Sequence, residues 1–354
     1  MSSEKKVFVE TPLHESAALS KAAGCRIFLK LENLQPSGSF KSRGIGHYLS
    51  THLKANGSTT GTHFYSSSGG NAGLACVVAA RTLGYPASVV VPLSTKPMMI
   101  TKIKAVGATE VIQIGASWQE ADSYLREVIL VENKNGVYVP PFDHPAIWAG
   151  HSTIVPEIME QLSRVTSANR PDAIVCSVGG GGLFAGIVQG LDAAGCPDVP
   201  ILAVETAGAE SLNAALKAGE LITLPGINSQ ATSLGAVRVS ERAFEYAQRS
   251  NVRSAVYNDA EAAMGCWRLA DDERLMVELA CGVNVAVCYG GRLEKALGKK
   301  LTTEDKVVIV LCGGSNVTVD MLAGWRKEYA YIEKEQAVSN EIPSSLTAPN
   351  GHRH

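Results

Sequence analysis

The chain has 354 residues, a net charge of −2, a hydrophobic fraction of 45% and a charged fraction of 19%. This length suffices for one large or two medium domains with a substantial core, and the charge argues against a general nucleic-acid-binding protein, which needs a basic face. No apolar run approaches the ~20 residues that cross a bilayer, and the polar N-terminus is unlike a signal peptide. We therefore expect a cytoplasmic protein that binds neither nucleic acid nor membrane.

Short β-rich runs alternate with helical stretches through most of the chain. The strands carry near-continuous valine and isoleucine, which is typical of strands buried on both faces in a mostly parallel sheet. The predicted elements are, in chain order, strand 26–32, strand 62–68, helix 74–85, strand 87–92, helix 101–107, strand 109–115, helix 117–130, strand 136–142, strand 173–178, helix 183–195, strand 201–206, helix 211–219, strand and turn 306–315, and helix 318–329. The sequence therefore predicts an α/β fold.

A loop that turns into a helix, PSGSFKSRG at 36–44, contains one lysine, Lys41. Most lysines are solvated surface charges, so the alternatives are a surface charge and a group held for chemistry. A lysine amine can capture an aldehyde as a Schiff base. The neighbouring loops decide between the two interpretations.

Three glycine-rich stretches follow predicted strands, at 66–73, 177–183 and 311–316. In an open α/β sheet such loops line the ligand crevice, and glycines let backbone N–H groups approach an anion at a helix N-terminus. The four consecutive glycines at 179–182 favour a phosphate site, whereas the GxGxxG and GxxxxGK[ST] nucleotide motifs are missing. The alternative is that these glycines serve only tight turns or close helix packing.

The stretch SSSGGNAG at 66–73 offers hydroxyls, backbone amides and the carboxamide of Asn71, but no negative charge. Such donors suit a carboxylate, and the alternative is simple helix capping by Ser68 or Asn71. A phosphate site, a carboxylate site and a lysine together indicate pyridoxal 5'-phosphate as the cofactor and an amino acid as the substrate.

Five stretches carry a resemblance to a known family, in the order QPSGSFKSRG, SSSGGNAG, VPPFDHPAIWAGH, SVGGGGL and LCGGSN. Over about residues 10–328 the chain resembles the serine dehydratase (L-serine/L-threonine deaminase) family of fold-type II pyridoxal-phosphate enzymes. The resemblance implies a tryptophan synthase β-like fold, with two open, mostly parallel twisted sheets covered by helices. It implies a large cofactor-binding domain from 1–44 and 149–330 and a small substrate-carboxylate domain at 45–148. Residues 331–354 lose hydrophobic periodicity and are predicted as a flexible tail.

The same resemblance implies roles for individual residues. Lys41 would form the Schiff base with the cofactor, and its freed amine would then take the substrate's Cα proton as general base. Phe40 would pack on one face of the cofactor ring, with Ser233 or Leu234 on the other face. Cys312 would face the pyridine nitrogen.

The remaining implied residues form three groups. The phosphate cup would consist of Gly179, Gly180, Gly181, Gly182 and Leu183. The substrate carboxylate would contact Ser68, Gly69, Asn71 and Ala72, and Asn71 would also lie near the phenolic oxygen of the cofactor. A monovalent cation, such as K⁺, would have as ligands the Glu205 carboxylate and the carbonyls of Gly179, Ala209, Leu234 and Ala236.

The implied activity is β-elimination in a homodimer, which converts L-serine to pyruvate and ammonia and L-threonine to 2-oxobutanoate. The Cys312 thiol cannot protonate the pyridine nitrogen as a carboxylate would, which favours expulsion of a β-leaving group. Serine racemases place a serine as second base where this chain has Gly69, which predicts a dehydratase without substantial racemase activity and extra room beside the substrate. The alternatives are a β-replacement enzyme or serine racemase of the same fold, and a non-enzymatic binding protein.

Other conspicuous side chains are predicted to be structural. His144 and His151 have no evident metal-binding partners, so we expect them to pack or to lie at helix ends. We expect Arg43 to pair with an acid that follows the lysine loop. Phe142 and Trp148 are expected in the core or at a domain interface.

Overall fold

The computed structural model of the chain describes residues 6–56 and 61–333. The strands are β1 (Leu13–Glu15), β2 (Arg26–Lys30), β3 (His63–Ser66), β4 (Ala87–Val91), β5 (Glu110–Gln113), β6 (Gly136–Tyr138), β7 (Ala173–Ser177), β8 (Ile201–Thr206), β9 (Val252–Tyr257) and β10 (Lys306–Val310). The α-helices are α1 (Ala17–Ala23), α2 (Lys41–Asn56), α3 (Asn71–Leu83), α4 (Pro97–Ala105), α5 (Trp118–Tyr124), α6 (Leu130–Glu132), α7 (Pro145–Ser152), α8 (Ile154–Val165), α9 (Gly182–Ala193), α10 (Ser211–Ala218), α11 (Glu241–Ala247), α12 (Asp259–Glu273), α13 (Leu279–Ala286), α14 (Arg292–Leu297) and α15 (Val319–Tyr329). Short 3₁₀ turns lie at Glu32–Leu34 and Thr232–Leu234, and a π-helical turn lies at Leu125–Ile129.

Two sheets organise the described residues. The first has six strands in the order β1-β2-β10-β7-β8-β9, in which β1 alone runs antiparallel to its neighbour. The second has four parallel strands in the order β5-β4-β3-β6. The prediction of an α/β fold with two mostly parallel sheets is therefore confirmed.

The central strands of both sheets are buried because helices cover them. Every residue of β4 and of β7 is buried, and apolar clusters fill the space between each sheet and its helices. The strands of the four-stranded sheet come from 63–138, and those of the six-stranded sheet come from 13–30 and 173–310. This distribution agrees with domain boundaries near residues 45 and 148, which stay a prediction.

Most predicted elements lie where the sequence indicated, with ends that differ by a few residues. The helix predicted at 117–130 is interrupted by the π-helical turn. No element was predicted before residue 26, between 143 and 172 or between 220 and 305, where the structure has β1 and α1, α7 and α8, and α11 to α14 with β9. Of the predicted tail, residues 331–333 are helical and 334–354 lie outside the described residues. Within the described ranges, no helix combines the length and the apolar character needed to span a membrane.

The three glycine-rich stretches all lie at the carboxyl ends of parallel strands. Ser66 ends β3, Ser177 ends β7 and Val310 ends β10. β7 and β10 are neighbours in the six-stranded sheet, so their loops leave the same edge side by side.

Candidate active site

Lys41 is the first residue of α2, and a short bridge to the loop after β10 fixes its position. Ser39 and Gly313 form an isolated antiparallel bridge, and the Phe40 N–H donates to the Cys312 carbonyl at 3.1 Å. Gly313 has a φ of 89°, a conformation that glycine adopts without strain. The bridge therefore holds Lys41 beside the carboxyl end of β10.

The Lys41 amine is partly buried, in the wall of a cavity. Its Nζ donates to the Pro141 carbonyl at 2.6 Å and lies 5.1 Å from the centroid of the Phe40 ring and 6.0 Å from that of Phe142. Burial lowers the pKa of Lys41 from 10.5 to about 8, because a low-dielectric environment disfavours the charged ammonium. Neutral amine near physiological pH is what nucleophilic attack or proton abstraction requires.

A buried ion-pair cluster anchors the first turn of α2. The Arg43 guanidinium donates to both carboxyl oxygens of Glu32 at 2.8 Å and to those of Glu157 at 2.6 and 2.7 Å. The side chains of Arg43 and Glu32 are fully buried. Because bidentate pairs of this kind fix a side chain in one geometry, the cluster also restrains the helix start that carries Lys41. The predicted pairing of Arg43 with an acid after the lysine loop is confirmed by Glu157, whereas Glu32, which precedes the loop, was not predicted.

The tetraglycine loop leaves β7 and runs into α9, which begins at Gly182. The backbone N–H groups of 179–183 donate to no other group among the described residues. A Cβ on Gly180 would lie 2.3 Å from the Phe142 ring, and Gly181 has a φ of 90°. The loop therefore needs glycine to run this close to its neighbours, and its free N–H groups at a helix N-terminus form a site for an anion such as phosphate.

The asparagine loop follows β3 and runs into α3, which begins at Asn71. The Asn71 carboxamide is held at both ends, since Oδ1 accepts from the Ser315 N–H at 3.0 Å and Nδ2 donates to the Glu278 carboxylate at 2.9 Å. The backbone N–H groups of Asn71 and Ala72 donate to no other group in the described part of the chain. Free donors at the start of a helix suit an anion, and a carboxylate is the anion predicted for this loop.

A cavity of about 830 Å³ brings the two loops and the lysine together. Every residue predicted to bind cofactor or substrate lines it, namely Phe40, Lys41, Ser68, Gly69, Asn71, Ala72, Gly179, Gly180, Gly181, Gly182, Leu183, Ser233 and Cys312. A cavity of this size is typical of sites for cofactors and small substrates. Motifs separated by more than 250 residues in the sequence thus meet at one place.

Two small polar side chains, a thiol and a hydroxyl, meet in the wall of this cavity. Cys312 follows β10 and Ser177 ends β7, so their Sγ and Oγ atoms lie 3.5 Å apart. Ser233 approaches from the turn at Thr232–Leu234, with its Oγ 3.4 Å from Asn71 Nδ2. The structure therefore brings Cys312 and Ser233 to the cavity, and their roles toward a cofactor stay predictions.

The predicted cation ligands are divided between the cavity wall and the buried core. Three line the cavity and two are buried outside its lining, namely Gly179, Leu234 and Ala236, and Glu205 and Ala209. The two carboxyl oxygens of Glu205 accept the backbone N–H groups of Leu212 and Asn213, both at 2.8 Å. Burial raises the pKa of Glu205 to about 8. Glu205 thus holds the start of α10, and the cation stays a prediction.

Sequence reasoning missed Glu278, a buried carboxyl in the cavity wall directly before α13. The signal that could have found it is a single acid within the apolar stretch MVELACGV, because glutamate is rarely buried without partners. Phe142, expected to serve packing alone, also lines the cavity. Its carbonyl accepts the indole N–H of the buried Trp148 at 3.0 Å.

The expectation that Gly69 leaves extra room is wrong. A Cβ at Gly69 would lie 2.7 Å from Thr95 Cγ2, so the Thr95 side chain already fills that space.

The histidine predictions are confirmed: His144 caps α7 by accepting a backbone N–H at 3.1 Å. His151 is buried, with its ring 5.0 Å from that of Phe40.

A partly buried lysine that shares a cavity with free helix N-termini, at the carboxyl ends of two mostly parallel sheets, is an arrangement typical of cofactor-dependent α/β enzymes. A family model described as "Pyridoxal-phosphate dependent enzyme" matches residues 6–313. The chain belongs to this family of pyridoxal-phosphate-dependent enzymes.

Relatives and solved structures agree with this assignment. The chain is 43% identical over 331 residues to the L-serine dehydratase/L-threonine deaminase of Bos taurus, covering 93% of this chain and 98% of that protein. It is 47% identical over 314 residues to the serine dehydratase-like protein of Homo sapiens, covering 87% and 91%. Its fold is similar to the L-serine ammonia-lyase of Rhizomucor miehei, with a TM-score of 0.83, 38% identity, and coverage of 91% and 99%. The predicted fold-type II architecture and the predicted family are confirmed.

Proposed function

We propose that this protein is a pyridoxal-phosphate-dependent lyase that converts L-serine to pyruvate and ammonia, and L-threonine to 2-oxobutanoate. One observation carries the proposal: the Lys41 amine, with its pKa lowered to about 8 by burial, shares a cavity with two loops of free N–H groups. The bovine relative is named for serine dehydration and threonine deamination, and the fungal structure for serine ammonia-lyase activity.

The cavity residues fit pyridoxal phosphate because each part of the cofactor has a matching group. The free N–H groups of the tetraglycine loop at 179–182 suit the phosphate, Phe40 and Ser233 suit the two ring faces, and Cys312 suits the pyridine nitrogen. When bound, the cofactor supplies a conjugated electron sink that stabilises negative charge at the substrate's Cα. The chain's own residues bind, orient and move protons around it.

In this proposal, Lys41 is the residue that takes the proton from the substrate's Cα. Its neutral Nζ takes the Cα proton as general base, since a base with a pKa near the working pH is most effective. The pKa of about 8 leaves part of the amine neutral near pH 7. The hydrogen bond to the Pro141 carbonyl keeps Nζ inside the cavity.

The asparagine loop orients the substrate. The free backbone N–H groups at the start of α3 and the side chains of Ser68 and Asn71 bind the substrate carboxylate, as fixed donors that need no reorganisation. Gly69 has no side chain that could deliver a proton to the opposite face of Cα. The proposal therefore includes no racemase activity.

The test is a product analysis with the cofactor-loaded protein and L-serine. We expect pyruvate and ammonia in equal amounts and no D-serine. Lys41→Ala should abolish both products, whereas Lys54→Ala, on the exposed last turn of the same helix, should keep them. D-serine as the main product would indicate a racemase, an amino acid with a new β-substituent would indicate a β-replacement enzyme, and no product at all would contradict the proposal.

A monovalent cation beside Glu205, with K⁺ as the first candidate, is part of the proposal. A buried carboxylate needs compensating positive charge or donors, and burial raises the pKa of Glu205 to about 8. We expect faster turnover in potassium chloride than in tetramethylammonium chloride at equal ionic strength, and we expect Glu205→Gln to remove this difference. Equal turnover of the wild type in both salts would contradict the cation.

The proposal also includes a division into domains and a dimer. Residues 1–44 and 149–330 form the large domain, and 45–148 form a small domain that closes over the substrate and excludes water.

The proposed homodimer predicts that light scattering during size-exclusion chromatography gives twice the chain mass of 37.3 kDa. A monomer at working concentration would contradict the homodimer. The cytoplasmic location stays a prediction.

A further inference from the structure

Glu278 is a cavity residue to which the proposed reaction assigns no task. It is 4% exposed and is the one carboxyl among the described residues that line the cavity. It lies directly before α13, which packs on the six-stranded sheet, whereas Asn71 follows a strand of the four-stranded sheet. The contact between the two side chains therefore joins the two halves of the site.

The partners of Glu278 are all hydrogen-bond donors in the described part of the chain. Its Oε1 accepts from Asn71 Nδ2 at 2.9 Å, and its Oε2 accepts from the Asn316 N–H at 3.1 Å. The Ser233 hydroxyl also bonds this carboxyl. A Cβ on Gly314 would lie 2.1 Å from Glu278 Cδ, so a side chain there would displace this carboxyl. Glycine at position 314 therefore leaves the space that the Glu278 carboxyl occupies.

The Asn71 carboxamide has its orientation fixed by these contacts. Its oxygen accepts from the Ser315 N–H at 3.0 Å, so its nitrogen must face Glu278. An amide nitrogen carries two N–H groups, and Glu278 takes one of them. The other is left for Ser233 Oγ, at 3.4 Å, or for an acceptor in the cavity.

We propose that Glu278 is a positioning residue, which holds the Asn71 carboxamide so that its second N–H donates to an anionic oxygen of the bound cofactor. The inference rests on the proposed function. A glutamine at this position has one acceptor and one donor group, so it cannot accept from both Asn71 and Asn316 without a clash between N–H groups. Glu278→Gln should therefore rotate or displace the Asn71 carboxamide.

The first test is the absorbance of the cofactor-loaded Glu278→Gln protein without substrate. Loss of a donor to the phenolic oxygen should weaken the visible band of the cofactor relative to its near-ultraviolet band. We also expect kcat to fall by roughly ten- to hundredfold, since a small misplacement of an orienting group has effects of this size. The matched control is Glu273→Gln, a largely buried carboxyl that bonds Ser16 and His14 outside the cavity, and its spectrum should match the wild type.

A double-mutant cycle separates positioning from general stabilisation. If Glu278 acts through Asn71, then Glu278→Gln should add no further change in spectrum or kcat once Asn71→Ala is present. A full additional loss in that background, or an unchanged spectrum and kcat in the single variant, would overturn the inference. Should the glutamine variant fail to fold, Glu278→Asp keeps the charge but withdraws it from Asn71, and the same spectral change is expected. A wild type that binds no cofactor would instead overturn the proposed function.

Discussion

At the scale of single residues, Lys41 shows how surroundings change the chemistry of one side chain. An exposed lysine is almost fully charged at neutral pH. Here Nζ donates to the Pro141 carbonyl and lies 5.1 Å from the centroid of the Phe40 ring, and burial lowers the pKa to about 8. The nucleophilic form of the amine is thereby populated where an ordinary lysine would hold almost none.

This lowered pKa predicts the pH dependence of cofactor capture. In protein stripped of cofactor, the neutral amine of Lys41 is the reactive form, so its rate of reaction with pyridoxal phosphate should rise with pH, reach half its maximum near pH 8 and then level off. Stopped-flow absorbance of the visible band measures this rate. A half-maximum near 10.5, the value for an unperturbed lysine, would contradict the burial argument. Lys41→Ala should develop no band at any pH.

Residues that lie in local motifs could be predicted, and residues that act across the fold could not. Lys41, Asn71 and the tetraglycine loop stand in short stretches whose composition already suits their chemistry. Glu278 becomes a site residue only because folding brings it within 2.9 Å of Asn71, from which it is separated by 207 positions. The filling of the space beside Gly69 by Thr95 is equally a product of the fold.

At the scale of elements, the turn into α9 depends on Gly181. Its φ is 90°, and a Cβ there would lie 2.3 Å from that of Ala243. Gly181→Ala should weaken pyridoxal-phosphate binding by about tenfold or more, because the new Cβ would clash with Ala243 and displace the N–H groups of the glycine loop. Fluorescence titration of the stripped protein measures this affinity.

The control for this prediction is Gly195→Ala. Gly195 also has a positive φ, 69°, but a Cβ there would meet no atom within 4 Å. It should reduce stability by a similar amount while leaving the affinity for the cofactor unchanged. Equal losses of affinity in both variants would show that the glycine loop has no special role in binding.

The ion-pair cluster beneath α2 predicts a large effect on stability. Arg43→Met leaves the buried Glu32 carboxylate with only the neutral donors Thr11 and Gln35 among its hydrogen-bond partners, and should lower the free energy of unfolding by about 3–5 kcal/mol. Arg164→Met breaks an exposed pair with Glu160 on α8 and should lower it by less than about 1 kcal/mol. Urea denaturation measures both, and similar losses in the two variants would contradict the buried-pair account.

Most elements with a strong local pattern were predicted, although the amphipathic helix α8 was missed, and several elements without such a pattern were missed. The strands β4, β7 and β10, which carry valine or isoleucine, lie where the sequence indicated. The helices α12 and α13 were missed because they pack through small residues: a Cβ on Gly265 would lie 2.1 Å from the Gly282 carbonyl oxygen. Such close packing needs no stripe of large apolar side chains, so these two helices show no clear helical periodicity in the sequence. The edge strand β9 is only partly buried and shows no clear alternation.

At the scale of the whole molecule, several bonds connect the loops of the two sheets around the cavity. Lys102 on α4 donates from Nζ to the Ser315 carbonyl, and Lys96 Nζ lies 3.4 Å from Asn316 Oδ1. With the Asn71–Glu278 bond, these contacts link the 66–102 region to the loop after β10. A movement of the 66–102 region relative to the loop after β10 would therefore change the positions of the side chains in the cavity wall.

The proposed closure of residues 45–148 predicts a pattern of hydrogen exchange. L-Alanine has no β-leaving group, so it should bind to the cofactor-loaded protein without elimination. We expect backbone amides of 66–73 and of α4 to exchange more slowly on its binding, because the small domain closes over the carboxylate. The buried strands β7 and β10 should change little. Equal exchange of 66–73 and α4 with and without L-alanine would contradict the closure.

The claim on which the account depends is that Lys41 carries the cofactor in the cavity. The most direct measurement is to reduce the cofactor-loaded protein with borohydride, which locks a lysine-bound cofactor in place, and to map the labelled peptide by mass spectrometry. We predict a single label on Lys41 and no label after Lys41→Ala. The Lys41→Ala variant, which lacks the label, should also lose pyruvate formation from L-serine. A label on another lysine, such as Lys96 in the same cavity wall, or pyruvate formation that persists without Lys41, would contradict the account.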